Sequence, residues 1–216
     1  MNLRQKFSDD DLARIKAAVH EAESKISGEI VPVMVARSGY YSIANYKGGL
    51  LAASVTFLLI VLFDRYVPSL AVYDPLLIFL SIIVAGLVGA SASNYLDFVK
   101  RALVGQQHMD HATRQRAENA FLEEEVFNTR HRTGIMIFIS FFEHEVIVMA
   151  DRGISKVVEQ KEWDKIVNHL TESIRKGKVV EGLEAALKRC GEILLEKGFI
   201  KTADDENELR DDLRIN

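Results

Sequence analysis

The chain has 216 residues, 27% of them charged and 48% hydrophobic, with a formal net charge of -4. That length suits one domain of about 150 residues plus an appendage. The acidic balance excludes the basic stripe of a nucleic-acid binder, and one cysteine, Cys190, excludes an internal disulfide framework and a multi-cysteine zinc site.

Taken in chain order, "FSDDDLARIKAAVHEAESKISG" opens with a helix start. Ser8 is the expected N-cap, Asp11 completes a capping box, and Phe7 can staple to Leu12. Asp9, Asp10 and Asp11 face the positive end of the helix dipole, which explains them better than a metal does. Leu12, Ile15, Val19, Ala22 and Ile26 form the predicted buried stripe, and Gly28 ends the element. "EIVPVMVA" then reads as a β-branched strand, and Pro32 points to a sheet edge.

Two apolar runs follow. Sixteen consecutive uncharged residues lie between Lys47 and Asp64, and twenty-two between Asp74 and Asp97. Crossing a bilayer takes about 20 residues. The second run suffices, and the first reaches that length as 46–66 if Lys47 and Arg65 snorkel. The six tyrosines, at 40, 41, 46, 66, 73 and 95, flank the runs without entering them, as an aromatic belt requires. The first run begins after a helix and a strand, so a cleavable signal sequence is not expected. Spans are therefore predicted at 46–66 and 75–96. Arg37, Lys47, Lys100 and Arg101 lie on one side and only Arg65 on the other, so both termini are expected to be cytoplasmic and 64–74 outside. Gly48, Gly49, Ala52 and Ala53 fall at the same depth as Gly86, Gly89, Ala90 and Ser93, a small-residue seam along which the two helices can pack.

Beyond the runs, "DHATRQRAENAFLEEEVFN" reads as a helix with Ala117, Ala120, Phe121 and Phe127 inward. "TGIMIFIS" and "EVIVMA" read as two strands joined by a hairpin turn. Two amphipathic helices follow, one presenting Trp163, Ile166, Val167, Leu170 and Ile174, the other Leu183, Leu187, Cys190 and Leu194. Cys190 on that stripe is a core residue rather than a nucleophile. Gly198 and Phe199 form the expected C-terminal cap. The tail 201–216 has six acids, three bases and little apolar surface, so it is expected to be disordered. The organisation predicted is an α/β domain split into 1–39 and 105–200 by a two-helix transmembrane hairpin.

The soluble part resembles the TPM domain family, named for a thylakoid-lumen phosphatase, a photosystem repair protein and a modulator of acetylcholine receptors. "FSDDDLARIKAAVHEAESKISGEIVPVMV" is similar to the family's opening helix, glycine turn and strand. "RTGIMIFIS", "EHEVIVMADRGI" and "WDKIVNHLTESIRKGKVVEGLEAAL" are similar to its strand pair and closing helices. The resemblance implies a Rossmann-like α/β/α sandwich with a small central sheet. It also implies, for some members, acid phosphatase activity or calcium binding. The sequence departs from the family pattern at "RHRTG" and "ADRGI", where acidic residues and a second glycine are replaced. Calcium wants several oxygen ligands, so no cofactor is expected and calcium is disfavoured.

The strand hairpin should bring Arg132 beside Asp151. Two readings follow: a structural ion pair at the hairpin end, or an anion site built from Arg130, Arg132, Asp151, Arg152 and the Gly153 backbone. Such a site would lie at the end of the sheet away from the bilayer, which disfavours a lipid headgroup as its ligand. His108 and His111, three apart with Asp110 between them, are weak candidates for a metal pair. There is no phosphate-binding loop, nucleophile elbow, zinc-protease helix or dinucleotide fingerprint. The expectation is an integral membrane protein that presents a cytoplasmic TPM-like domain, a non-catalytic interaction or assembly module with protein partners. The alternative is a membrane-anchored phosphatase acting on phosphate monoesters.

Overall fold

The computed structural model describes residues 3–202 and 207–215. The chain divides into two compact units, Met1–Ser38 with Asp110–Asn216, and Gly39–Met109.

The first unit is a three-layer α/β/α arrangement. Helix α1 (Asp9–Glu23) starts where its sequence requires. The Ser8 hydroxyl accepts the Asp11 N–H at 3.1 Å, and the Asp11 carboxylate accepts the Ser8 N–H at 2.9 Å. Strands β1 (Glu29–Val35), β2 (Gly134–Ser140) and β3 (Glu145–Ala150) follow their predicted positions closely. They form a sheet in the order β3-β2-β1-β4, with β4 (Arg214–Ile215) at the far edge. β1 runs parallel to β2 and to β4, and β2 is antiparallel to β3. The continuous apolar runs of β1 and β2 are explained by cover on both faces, since every residue of both strands is buried. Successive side chains alternate between faces. Ile30, Met34, Ile135, Ile137 and Ile139 meet α1, α7 (Gln160–Arg175) and α8 (Val179–Glu196). Val31, Val33, Val35, Met136 and Phe138 meet Ala117 and Ala120 of α5 (Gln106–Glu123). The short helix α6 (Arg152–Ser155) follows β3 directly. Trp163, Ile166 and Leu170 are buried as their helical spacing predicts, and so are Leu183, Leu187, Cys190 and Leu194. Burial pushes the Cys190 thiol up to about 12, which suits a core residue and not a nucleophile.

Three expectations are corrected. Pro32 does not mark a sheet edge: β4 pairs with β1 at Val33 and Met34. The tail 201–216 is not disordered over its described part, 207–215. Its low apolar content misled because the large apolar residues of 207–215 are used, Leu209, Leu213 and Ile215 packing on the two clusters. Three of its charges are also paired, Asp211 with His20 at 3.2 Å, Asp212 with Lys16 at 2.9 Å and Arg214 with Glu124 at 2.8 Å. Residues 203–206 and 216 of that tail lie outside the described residues. Finally, α5 ends at Glu123, so Phe127 lies beyond the helix and Val126 supplies the buried contact there.

The second unit holds α2 (Ile43–Tyr66), α3 (Pro75–Tyr95) and α4 (Asp97–Val104). Asp74 caps α3 by accepting the Leu76 N–H at 2.8 Å, with Pro75 in the first helical position. Helices α2 and α3 are long and apolar enough to cross a membrane, and only 6% of each apolar window is buried. They meet along the small-residue seam. A Cβ on Gly89 would stand 2.5 Å from the Gly48 carbonyl oxygen and 2.5 Å from the Ala52 Cβ. Side chains larger than hydrogen are thus excluded there, and the backbones approach closely. Ser93, fully buried, donates to the Gly89 carbonyl at 2.9 Å, so its hydroxyl is satisfied within its own helix.

Candidate functional site

The antiparallel pairing of β2 and β3 sets Ile135 opposite Ala150, so Asp151, the residue after β3, meets Gly134, the first residue of β2, and lies near the chain that leads into it. The structure accordingly brings together Arg132 and Asp151, with Nη1 3.6 Å from Oδ2. That spacing is an ion pair but not a hydrogen bond. Asp151 is 7% exposed and its Oδ2 has no hydrogen-bond partner, so the nearby guanidinium is what offsets the cost of burying that charge. Oδ1 accepts the Arg152 N–H at 2.6 Å and caps α6. Arg132 adopts a left-handed backbone (φ 57) and donates through Nη1 to the Phe127 carbonyl at 2.9 Å. Its guanidinium also lies over the Phe127 ring, 5.8 Å from the centroid.

Gly153 enters this cluster as a donor to the protein itself. Its N–H reaches the Arg132 carbonyl at 3.0 Å. A Cβ there would stand 2.5 Å from that oxygen and 2.8 Å from the His131 carbonyl, so only glycine fits. The neighbouring donors are spoken for as well. The Asp151 N–H goes to the Gly134 carbonyl at 2.9 Å, and those of Ile154 and Ser155 go to the Asp151 carbonyl at 3.1 and 2.9 Å. The turn therefore lacks the row of outward N–H groups that makes an anion-binding nest. Arg130 is held by its backbone, whose N–H lies 2.8 Å from a Glu208 carboxylate oxygen. The orphaned Asp151 oxygen faces the Arg132 guanidinium, a cation whose charge works against a calcium ion at that carboxylate. His108 and His111 are both exposed on α5. Among the described residues, no three His, Cys, Asp or Glu side chains come together in a way that could hold a metal.

Two polar clusters carry no short sequence motif. At the carboxyl ends of β1 and β2, Glu143 is 2% exposed and accepts the Ser38 N–H at 2.9 Å and the Ser140 hydroxyl. The Ser38 hydroxyl in turn donates to Ser140 Oγ at 2.9 Å. Parallel strands commonly place ligands at such an end, and here the carboxylate is occupied internally. At the other end of β1, a small cavity of about 40 Å³ is lined by residues that include His20, Glu23, Glu29, Lys201 and Asn207. Burial raises the Glu23 carboxyl from 4.5 to about 8, against the opposing Ile30 N–H, which it accepts at 2.7 Å. Burial raises Glu29 too, although its oxygens accept the N–H groups of Glu208 at 3.2 Å and Leu209 at 3.4 Å. A glutamate at each end of a loop between helix and strand reads as solvated until the tail that covers it is placed. The one available signal was that Glu29, a charged residue, opens an otherwise apolar strand.

The TPM domain family model matches residues 101–193. Among solved structures, the chain is similar to the BA42 protein of the psychrophilic bacterium Bizionia argentinensis, with 16% identity over 97% of this chain and 95% of that one and a TM-score of 0.59. At that identity the likeness speaks for the fold alone. No curated protein matches the chain. With the strand pair, the closing helices and the family match coinciding over 101–193, the chain contains a TPM domain.

Proposed function

We propose that this is an integral membrane protein whose two spans anchor a cytoplasmic TPM domain, and that the domain is a non-catalytic interaction or assembly module. The membrane part of this reading is supported by α2 and α3, whose apolar surface is left outward along both helices. Such surface in water far exceeds the few hundred Å² that a soluble monomer exposes. Orientation follows from Arg37, Lys47, Lys100 and Arg101 on one side against Arg65 on the other. Reporters placed after residue 216 and at Ser69 should give opposite topology signals, and a cytoplasmic signal at Ser69 would reverse the orientation.

The observation that carries the non-catalytic reading is the internal use of the 151–155 turn. Phosphoryl transfer depends on fixed donors aimed at the phosphate oxygens. In this turn the donors already point at Gly134, Arg132 and Asp151 itself. Asp151 caps a helix and balances Arg132, which are structural tasks. The test is release of phosphate from an aryl phosphate by the purified full chain, with and without divalent metal, beside Asp151→Asn. The expected result is no release above background in any arm. Metal-dependent turnover that Asp151→Asn abolishes would establish the phosphatase instead.

A further inference from the structure

Helix α4 begins two residues after α3 ends, at a break where Leu96 is extended (φ -105, ψ 101). Its far end is tied back to α2, because Lys47 Nζ donates to the Leu103 carbonyl at 2.9 Å. Its middle is tied to the end of α3 by Lys100 Nζ, 3.4 Å from Asn94 Oδ1. Eight helical residues cover about 12 Å, close to the 8–10 Å between packed helix axes. α4 therefore runs across the end of the hairpin, from one helix to the other, and not onward along either.

Its two faces are used in reverse of what water would select. The face turned to α2 and α3 carries Val104 and the lysine Lys100, which is 3% exposed. The face turned away carries Phe98, 73% exposed, followed one turn later by Ala102. Leu96, Tyr95 and Tyr46 are exposed at the same end of the hairpin. A soluble eight-residue helix with an inward lysine and an outward phenylalanine would lose on both counts. A helix lying in a bilayer interface sheds the cost of the outward phenylalanine, since its apolar face sits about 5–10 Å into the headgroup and acyl boundary, while Lys100 keeps its Asn94 contact in either setting. Tyrosines at the same end match the aromatic level of that interface.

We infer that α4 is an in-plane interfacial helix, with Phe98 immersed in lipid at the boundary between headgroups and acyl chains. The inference rests on the membrane reading of α2 and α3 given above. Its partner is the lipid surface itself, on the face continuous with the apolar surface of α3.

The test places a tryptophan on this face, Phe98→Trp, in the full chain reconstituted into phosphatidylcholine vesicles. The acyl chains are brominated either near the glycerol end or near the methyl end. Leu58→Trp, on the exposed side of α2, reports on the hairpin in the same lipids. The wild type, whose one tryptophan is the buried Trp163, supplies the baseline. Phe98→Trp emission should fall about twofold with shallow bromines and little with deep ones, as expected for a boundary position. Leu58→Trp should show the opposite order. Ala102→Trp repeats the measurement if Phe98→Trp fails to fold. Quenching of Leu58→Trp with none at Phe98→Trp or Ala102→Trp overturns the interfacial helix and leaves the spans standing. No quenching at Leu58→Trp overturns the membrane reading and this inference with it. Emission insensitive to both lipids but shifting with protein-to-lipid ratio would put a second copy on the Phe98 face, and likewise overturn the assignment.

Discussion

β2 and α3 carry apolar runs of similar purity, "GIMIFIS" and "PLLIFLSIIVAGLVGASASNY", and the fold treats them in opposite ways. Every residue of β2 is buried, whereas the one buried residue of α3 is a serine. In β2 both faces meet protein, isoleucines on one side and Met136 and Phe138 on the other. In α3 protein contact falls to the seam of small residues with the half-buried Ile78 and Ile82 beyond it, and the leucines, Ile83 and the valines point away. Apolar content alone therefore says that a segment must leave water, not what replaces the water. Side-chain size decides that: large residues turned toward protein make a core, and small residues turned toward protein leave the large ones for lipid.

The contrast is sharpest in paired substitutions. Phe138→Ala empties a fully buried site and should cost about 3–5 kcal/mol of the α/β unit's stability. Leu87→Ala, on the exposed side of α3, should stay within about 0.5 kcal/mol. Thermal unfolding followed by Trp163 fluorescence reads the first. Helix content of the hairpin in detergent reads the second. Comparable losses in both would mean that the outward face of α3 packs on protein.

The same difference in surroundings sets a pH dependence. Glu23 lies in the α/β unit with Glu29, Asp211, Lys201 and His20 nearby, and burial lifts its carboxyl from 4.5 to about 8. Between those values the folded chain keeps a proton that the unfolded chain has released. Stability is thus full below pH 4.5 and falls as pH rises through about 8. The loss amounts to a few kcal/mol at most, at about 1.4 kcal/mol per unit. Glu29 is raised in the same direction and steepens the slope. Glu23→Gln keeps an acceptor for the Ile30 N–H and should flatten the profile in denaturant melts taken from pH 5 to 9. A variant curve parallel to the wild type would remove Glu23 as the cause.

Much of this was legible beforehand. Ser8 with Asp11, the stripe from Ile15 to Ile26, both apolar runs, the Gly48–Gly89 seam and the Arg132–Asp151 pairing all follow from local rules of capping, periodicity and strand register. What could not be read is non-local. The tail becomes a strand only because an unpaired side of β1 awaits it, and its acids are tolerable only beside His20, Lys16 and the Arg130 backbone. The Gly153 N–H looked available because its acceptor, the Arg132 carbonyl, lies across a strand hairpin whose local bend no motif encodes.

The seam predicts a graded response. A Cβ on Gly86 would find its nearest neighbours at 3.5 and 3.7 Å, in ordinary contact, whereas one on Gly89 meets backbone at 2.5 Å. Gly86→Ala should therefore be close to neutral. Gly89→Val should cost the hairpin about 1–3 kcal/mol through forced separation of the helices. Reversible unfolding of the hairpin in micelles distinguishes them, and equal effects would show that the two helices do not meet along this line.

The smallest effect belongs to the C-terminal segment, which is fastened differently from the rest of its unit. The sheet interior is held by apolar burial that salt does not weaken. Residues 207–215 contribute only two residues to the ladder and are otherwise fastened largely through charge: Glu29 to the N–H groups of Glu208 and Leu209, Asp212 to Lys16, and Arg214 to Glu124. Such pairs weaken as ions screen them, most where they are exposed, as Asp212 and Lys16 are. Amide exchange at Leu209, Leu213 and Ile215 should therefore run faster than in β2, and should quicken a further few-fold when salt is raised. β2 amides should not respond, because opening them requires global unfolding. Arg214→Gln should reproduce the salt effect at low ionic strength by removing the least exposed of these ion pairs. If the segment exchanges as slowly as β2 and ignores salt, its two ladder residues and Leu213 hold it, and the charges are incidental.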